Sequence, residues 1–94
     1  MSKEYYRKKI ADKREEIVSL RAKIVKIKAD KKRRITSLTQ SIKNTSSASS
    51  KESYRKQKIS ESEKFVREEE SVKKKIESVK HEIDGFKRSL ASIK

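Results

Sequence analysis

The stretch VKKKIESVKHEIDGFKRSLASI, residues 72–93, decides the fold, because its apolar residues recur in alternating steps of four and three. This heptad spacing gathers them into one stripe along a helix, and such a stripe is buried only against another helix. The stripe consists of Val72, Ile76, Val79, Ile83, Phe86, Leu90 and Ile93. The stretch therefore predicts half of a coiled-coil seam.

A matching stripe lies in the first half of the chain, where we expect one helix over about residues 3–43. Its members are Tyr6, Ile10, Ile17, Leu20, Ile24 and Ile27, with Lys13 filling one seam position. Leu38, between Ile35 and Ile42, continues the stripe after a four-residue stutter, which locally relaxes a left-handed supercoil. Ser2 is placed to cap this helix.

Between the stripes, the segment NTSSASS (residues 44–50) has no apolar periodicity and is rich in residues that favour turns and caps. Ser49 followed three residues later by Glu52 has the form of a capping box, which restarts a helix. The pattern predicts a tip over about 44–50 and a second helix over about 51–94.

Folding the two stripes together predicts an antiparallel register in which partner numbers add to about 93. The apolar partners are then Ile10 with Ile83, Ile17 with Ile76, Leu20 with Val72, Ile27 with Phe65 or Val66, and Tyr6 with Phe86. Acidic and basic residues mirror each other in the same register: Glu61 and Glu63 face Lys31–Arg34, and Glu68, Glu69 and Glu70 face Lys23 and Lys26.

The predicted fold is an all-α, antiparallel two-helix coiled-coil hairpin, a single unit over residues 1–94 that packs into a larger helical bundle. One long helix in a parallel dimer is the alternative, because the tip has no Gly or Pro to force a reversal. Leu90 and Ile93 extend past the start of the first helix in this register. We expect them to continue into a longer protein or to contact another copy.

A weaker stripe on the first helix could receive a neighbouring hairpin. It consists of Val18, Ala22, Val25 and Ala29, and we call it the outer stripe. The alternative interpretation is a solvated face made of good helix formers.

The composition allows little besides helices, since 31% of the 94 residues are hydrophobic, 45% are charged, and the chain has no Pro, Cys or Trp. A chain without Cys forms no disulfide and no thiolate metal site. No run resembles a signal peptide or a membrane span, so we expect a cytoplasmic location and no membrane-spanning segment.

The chain offers little catalytic chemistry, because a two-helix rod provides no pocket in which reacting groups converge. We therefore expect no enzyme activity, no cofactor, no metal and no small-molecule substrate. His81 lies one turn from Glu77 and near Asp84, a spacing that could hold a metal, but a solvated histidine fits better. The one glycine, Gly85, is expected to permit close packing or slight bending beside Phe86.

The net charge of +14 favours acidic partners such as nucleic acid, anionic lipid or an acidic protein. The densest cluster is Lys31-Lys32-Arg33-Arg34, which we call the basic run and which could follow a phosphate backbone nonspecifically. In the hairpin, Glu61 and Glu63 would neutralise part of it.

Two segments, SKEYYRKKIAD (residues 2–12) and SIKNTSSASSK (residues 41–51), resemble the N-terminal coiled-coil region that precedes the TIR domain in many bacterial TIR proteins. The resemblance extends over essentially the whole chain. It implies a helical region that positions and oligomerises a TIR domain, which consumes NAD or signals with its products, often in defence against phage. No TIR strand or catalytic glutamate occurs here, so no enzymatic residue carries over.

The chain is also similar to small helical hairpins of the WXG100 type in its length and in its lack of a signal peptide. That resemblance implies export by a specialised secretion system. The tip has no Trp-x-Gly, however, and the aromatic-x-x-x-acid pattern of Phe65–Glu69 is not at the C-terminus.

Taken together, the sequence predicts a non-enzymatic assembly or docking module that self-associates or binds a helical protein partner, and so positions an attached or partner effector. Binding of nucleic acid or another polyanion by a basic helical protein is the alternative function, and a secreted WXG100-like hairpin is a further one.

Overall fold

The computed structural model describes residues 2–93 as an all-α helical hairpin, which confirms the predicted fold class. Helix α1 comprises Lys3–Asn44 and helix α2 comprises Ala48–Ala91. Residues 45–47 link them. Neither helix, over the residues described, combines the length and the apolar character needed to cross a membrane.

Side-chain oxygens cap the starts of both helices. The Ser2 hydroxyl accepts a hydrogen bond from the Tyr5 amide at 3.2 Å, as the sequence predicts, and Glu4 lies in the first turn of α1. At the start of α2, the cap is Ser47 rather than the predicted Ser49, because the Ser47 hydroxyl accepts from the Ser50 amide at 3.2 Å.

The link is shorter than the sequence pattern suggests because Ala48, Ser49 and Ser50 are already helical. Because Ser47 supplies the cap, these three residues form the first turn of α2. Helix α2 ends at Ala91, before the predicted end at 94. Its last turn tightens, since the Ile93 amide donates to the Leu90 carbonyl at 3.2 Å. The end of the predicted helix, Lys94, lies outside the described residues.

The chain forms two compact units, which we describe separately. The first unit comprises, within the described residues, 2–24 and 71–93. Its apolar core is a single seam whose members are Ile10, Ile17, Leu20, Val72, Ile76, Val79 and Ile83, all at most 9% exposed. At one end of this seam the Tyr6 and Phe86 rings lie 6.3 Å apart between centroids, as expected from the register. The seam residues Tyr6, Ile24, Phe86, Leu90 and Ile93 are half-buried.

The second unit, residues 25–70, has a thinner core. Its one buried apolar residue is Leu38, which is 2% exposed. The half-buried apolar residues around it include Ile27, Ile35, Ile42 and Phe65. Phe65 rather than Val66 turns inward, since Val66 is exposed. The core thins because α2 supplies few apolar residues between Lys51 and Ser71 and these do not follow a heptad.

Gly85 lies within α2 and is not tightly packed, contrary to the expected close approach. A Cβ added at this position would meet nothing within 4 Å. The backbone there is ordinary helix, and no described residue adopts a positive φ.

We predict that Ile17→Asp and Ile76→Asp each lower the free energy of unfolding by at least about 3 kcal/mol, because each removes a buried side chain and places an unpaired charge in the seam. Urea unfolding followed by circular dichroism measures the loss. The matched controls are Ser19→Asp and Ser78→Asp, which add the same charge at exposed positions two residues away. Equal losses in the variants and their controls would contradict the seam.

We also predict that Gly85→Ala raises the free energy of unfolding by about 0.5–1 kcal/mol, since the methyl group has room and alanine loses less backbone entropy than glycine in a helix. The same urea titration measures the gain. A loss of stability would mean that a neighbour packs against the Gly85 backbone.

Candidate functional site

The one charged residue within the seam of the first unit is held by an ion pair between the helices. The Lys13 ammonium lies 2.7 Å from Glu82 Oε2 on α2 and 3.4 Å from Glu16 Oε2 on its own helix. The pair with Glu82 was not foreseen, although these two residue numbers add to 95, close to the predicted sum. Lys13 is half-buried, so its methylene groups cover part of the seam while its charge reaches the edge.

This arrangement changes the titration of Lys13. The hydrogen bond to Glu82 raises the pKa of Lys13 above its ordinary value of 10.5, with a smaller contribution from Glu16 and an opposing one from desolvation. Because the pKa of Lys13 is higher in the folded chain than in the unfolded chain, its ion pairs stabilise the fold fully below pH 10.5. This stabilisation is lost as the pH rises through the folded pKa.

Part of the basic run in the second unit is neutralised within the chain. Arg34 Nε donates to both carboxylate oxygens of Glu61, at 2.9 and 2.8 Å, which agrees with the predicted register. Arg33 pairs with Asp30 on its own helix. These pairs are exposed and therefore stabilise the fold only modestly.

The other two cations of the basic run differ in environment. Lys31 is half-buried and lines a small cavity of about 150 Å³ with Phe65 and Glu69, whereas Lys32 is exposed. Glu69 lies 3.6 Å from the ammonium of Lys28, a pair that the predicted register did not include. A long lysine side chain can reach a carboxylate one turn away from the position directly opposite, so a register in which partner numbers add to about 93 does not include such pairs.

The residues of the outer stripe are all exposed. Val18 is 66% exposed in the first unit, and Val25 is 68% exposed in the second. The two valines are seven residues apart in the sequence, which is the heptad spacing. Neither valine is covered by α2, so both are available to another helical surface.

A groove beside the link was not predicted from the sequence. Its walls are Thr39, Ile42 and Lys43 from α1 and Arg55, Lys58, Ile59, Ser62 and Glu63 from α2, and its volume is about 680 Å³. We call it the tip groove. Ile59 does not belong to either heptad stripe, which is why sequence periodicity gave no sign of it. The one available signal was an isolated isoleucine between lysine and serine.

Glu77, the carboxylate one turn from His81, has a lysine partner. His81 is exposed, and the Glu77 carboxylate lies 3.4 Å from the Lys80 ammonium. Over residues 2–93, no three His, Cys, Asp or Glu side chains are grouped so that they could hold a metal ion.

No protein-family model matches this sequence, and neither a curated protein nor a solved structure shows significant similarity to it. The candidate surfaces therefore rest on the geometry of the chain itself.

We predict that Glu82→Gln lowers the melting temperature at neutral pH by a small amount, within about 5 °C, because it removes the partner of Lys13. The difference from the wild-type chain should shrink as the pH rises above 10.5, where Lys13 loses its charge. Thermal melts at matched pH values measure it.

The control is the same substitution in a Lys13→Arg background, because a guanidinium keeps its charge in this range and the difference should persist. If Glu82→Gln lowered the melting temperature by the same amount at every pH in the chain that keeps Lys13, the result would contradict a role for the Lys13 charge.

Proposed function

We propose that the chain is a non-enzymatic assembly module that self-associates through the outer stripe of α1. The observation that carries the proposal is the exposure of Val18 in the first unit and of Val25 in the second, two apolar residues at heptad spacing in the sequence. Two helices bury one stripe each, and small scaffolds of this kind usually need further support. A second copy supplies a helical surface that covers the valines.

The energetics support association of moderate strength. Full burial of a valine side chain contributes about 1.5–3 kcal/mol, and two valines per copy are available. The like charge of two copies, +14 each, opposes this contact. Association driven by apolar contact against charge repulsion therefore strengthens as salt is added.

A non-enzymatic role is supported by the character of the interior. Every buried side chain among the described residues is apolar. Catalytic acids, bases and nucleophiles usually act from sites that are partly shielded from water, and such sites require buried polar groups.

The specific form of the proposal is that the module positions an attached or partner effector, of the TIR type and in defence against phage. Its support is the resemblance of residues 2–12 and 41–51 to the helical region of TIR proteins. Oligomerisation through the outer stripe would bring such effector domains together.

Polyanion binding is the second candidate function, favoured by the net charge and by the exposed Lys32. It has the weaker support, because Arg33 and Arg34 are already paired with Asp30 and Glu61. The two functions respond oppositely to salt, since screening weakens binding to phosphates.

We predict that light scattering after size exclusion gives at least twice the monomer mass of 11.0 kDa, and that the mass is higher in ~1 M salt than at low salt. Val25→Asp should shift the mass toward the monomer, because it places a charge in the contact. Ser37→Asp, which adds the same charge at an exposed site on α1 outside the outer stripe, should leave the mass unchanged.

A mass of 11.0 kDa for the wild-type chain at high salt would contradict self-association. Loss of the oligomer in both variants would instead show that added negative charge, and not the outer stripe, controls it.

A further inference from the structure

The tip groove exposes an apolar surface in the part of the chain with the thinnest core. Ile59 is 63% exposed, and it shares the groove with the half-buried Ile42 of α1. Leu38 is buried one turn from Ile42, so the adjoining core is already closed without Ile59. The isoleucine thus contributes little to the fold and is available to a partner.

The rim of the tip groove is positively charged. Lys43, Arg55 and Lys58 lie around it, against the single carboxylate of Glu63. None of the three cations forms an ion pair within residues 2–93. An apolar surface surrounded by cations that lack partners is complementary to an apolar side chain flanked by carboxylates.

The shape of the surface favours a helical occupant. The walls of the tip groove come from two helices, since Ile42 lies on α1 and Ile59 lies on α2. A hydrophobic groove of this kind accepts the apolar side of an amphipathic helix, whose contact residues recur at spacings of three, four and seven. The volume of about 680 Å³ has room for one or two large apolar side chains.

We propose that the tip groove binds an acidic amphipathic helix of a different protein, with an apolar residue against Ile42 and Ile59 and carboxylates on Lys43, Arg55 and Lys58. The outer stripe of a second copy fits less well, because its exposed Val18 lies beside Arg14 and Arg21 and so offers cations where the rim requires carboxylates. This interaction goes beyond self-association and uses a separate surface.

The test uses the full chain and a fluorescent synthetic peptide that forms an acidic amphipathic helix, with leucines on one side and glutamates elsewhere. Two further peptides separate the contributions: one replaces the leucines by serine, and the other replaces the glutamates by lysine. Fluorescence anisotropy at physiological ionic strength gives the dissociation constants, and amide chemical shifts locate the binding site.

The proposal predicts that only the peptide with both leucine and glutamate binds tightly, and that its amide shifts map to the tip groove. Ile59→Ser should weaken its binding at least tenfold without changing helicity, since Ile59 is mostly exposed. The matched control, Val66→Ser, removes an exposed apolar residue of the same helix that does not line the groove, and it should leave binding unchanged.

A charge-reversed variant, Arg55→Glu with Lys58→Glu, provides a second arm that does not depend on the stability of the Ile59 variant. It should also weaken binding of the leucine–glutamate peptide at least tenfold, and it should improve binding of the lysine peptide.

Two results would overturn the proposal. Equal binding of the leucine-free peptide would show general attraction to negative charge instead of a groove. A lower oligomer mass for Ile59→Ser than for the wild-type chain in light scattering would show that a second copy occupies the groove.

Discussion

The apolar seam between α1 and α2 is the interaction on which the rest of the structure depends. In the first unit each helix contributes a single stripe of buried apolar residues, and Ile17 and Ile76 lie near the middle of these stripes. Two helices hide no more than the stripes that face each other, so every other side of each helix stays in water. These exposed sides account for the large share of charged residues, 45% of the chain.

The same constraint accounts for the apolar surface that remains. Over residues 2–93 the two helices leave Val18 and Val25 on α1 exposed, as well as Ile59 on α2. Both proposed interactions use these exposed residues. The two proposed interactions differ in their electrostatics, since one must overcome like charge and the other uses opposite charge.

Sequence periodicity predicted the fold well where the heptad is unbroken. From Val72 to Ile83 each apolar residue is buried, because strict heptad spacing leaves one way to hide the stripe. The helix bounds were less accurate at the link, where Ser47 and Ser49 both have cap chemistry and local pattern does not choose between them.

The candidate sites were less predictable because they depend on residues outside the pattern. The pair of Lys13 with Glu82 needs a flexible side chain that reaches diagonally, and the tip groove needs Ile59, which no stripe includes. The open space beside Gly85 could not be predicted either, since the sequence does not show which neighbours approach a helix backbone. Each of these features is a property of packing in three dimensions.

The distance between residues 7 and 87 tests the hairpin most directly. The chain has no cysteine of its own, so Arg7→Cys and Lys87→Cys allow two spin labels to be attached at exposed sites. Double electron–electron resonance spectroscopy then reports the distance between the two labels within one molecule, provided that the labelled chain is diluted with the unlabelled chain. The hairpin predicts roughly 10–30 Å, from helix axes about 8–10 Å apart plus the label arms. One uninterrupted helix would place the labels about 120 Å apart and would contradict the account.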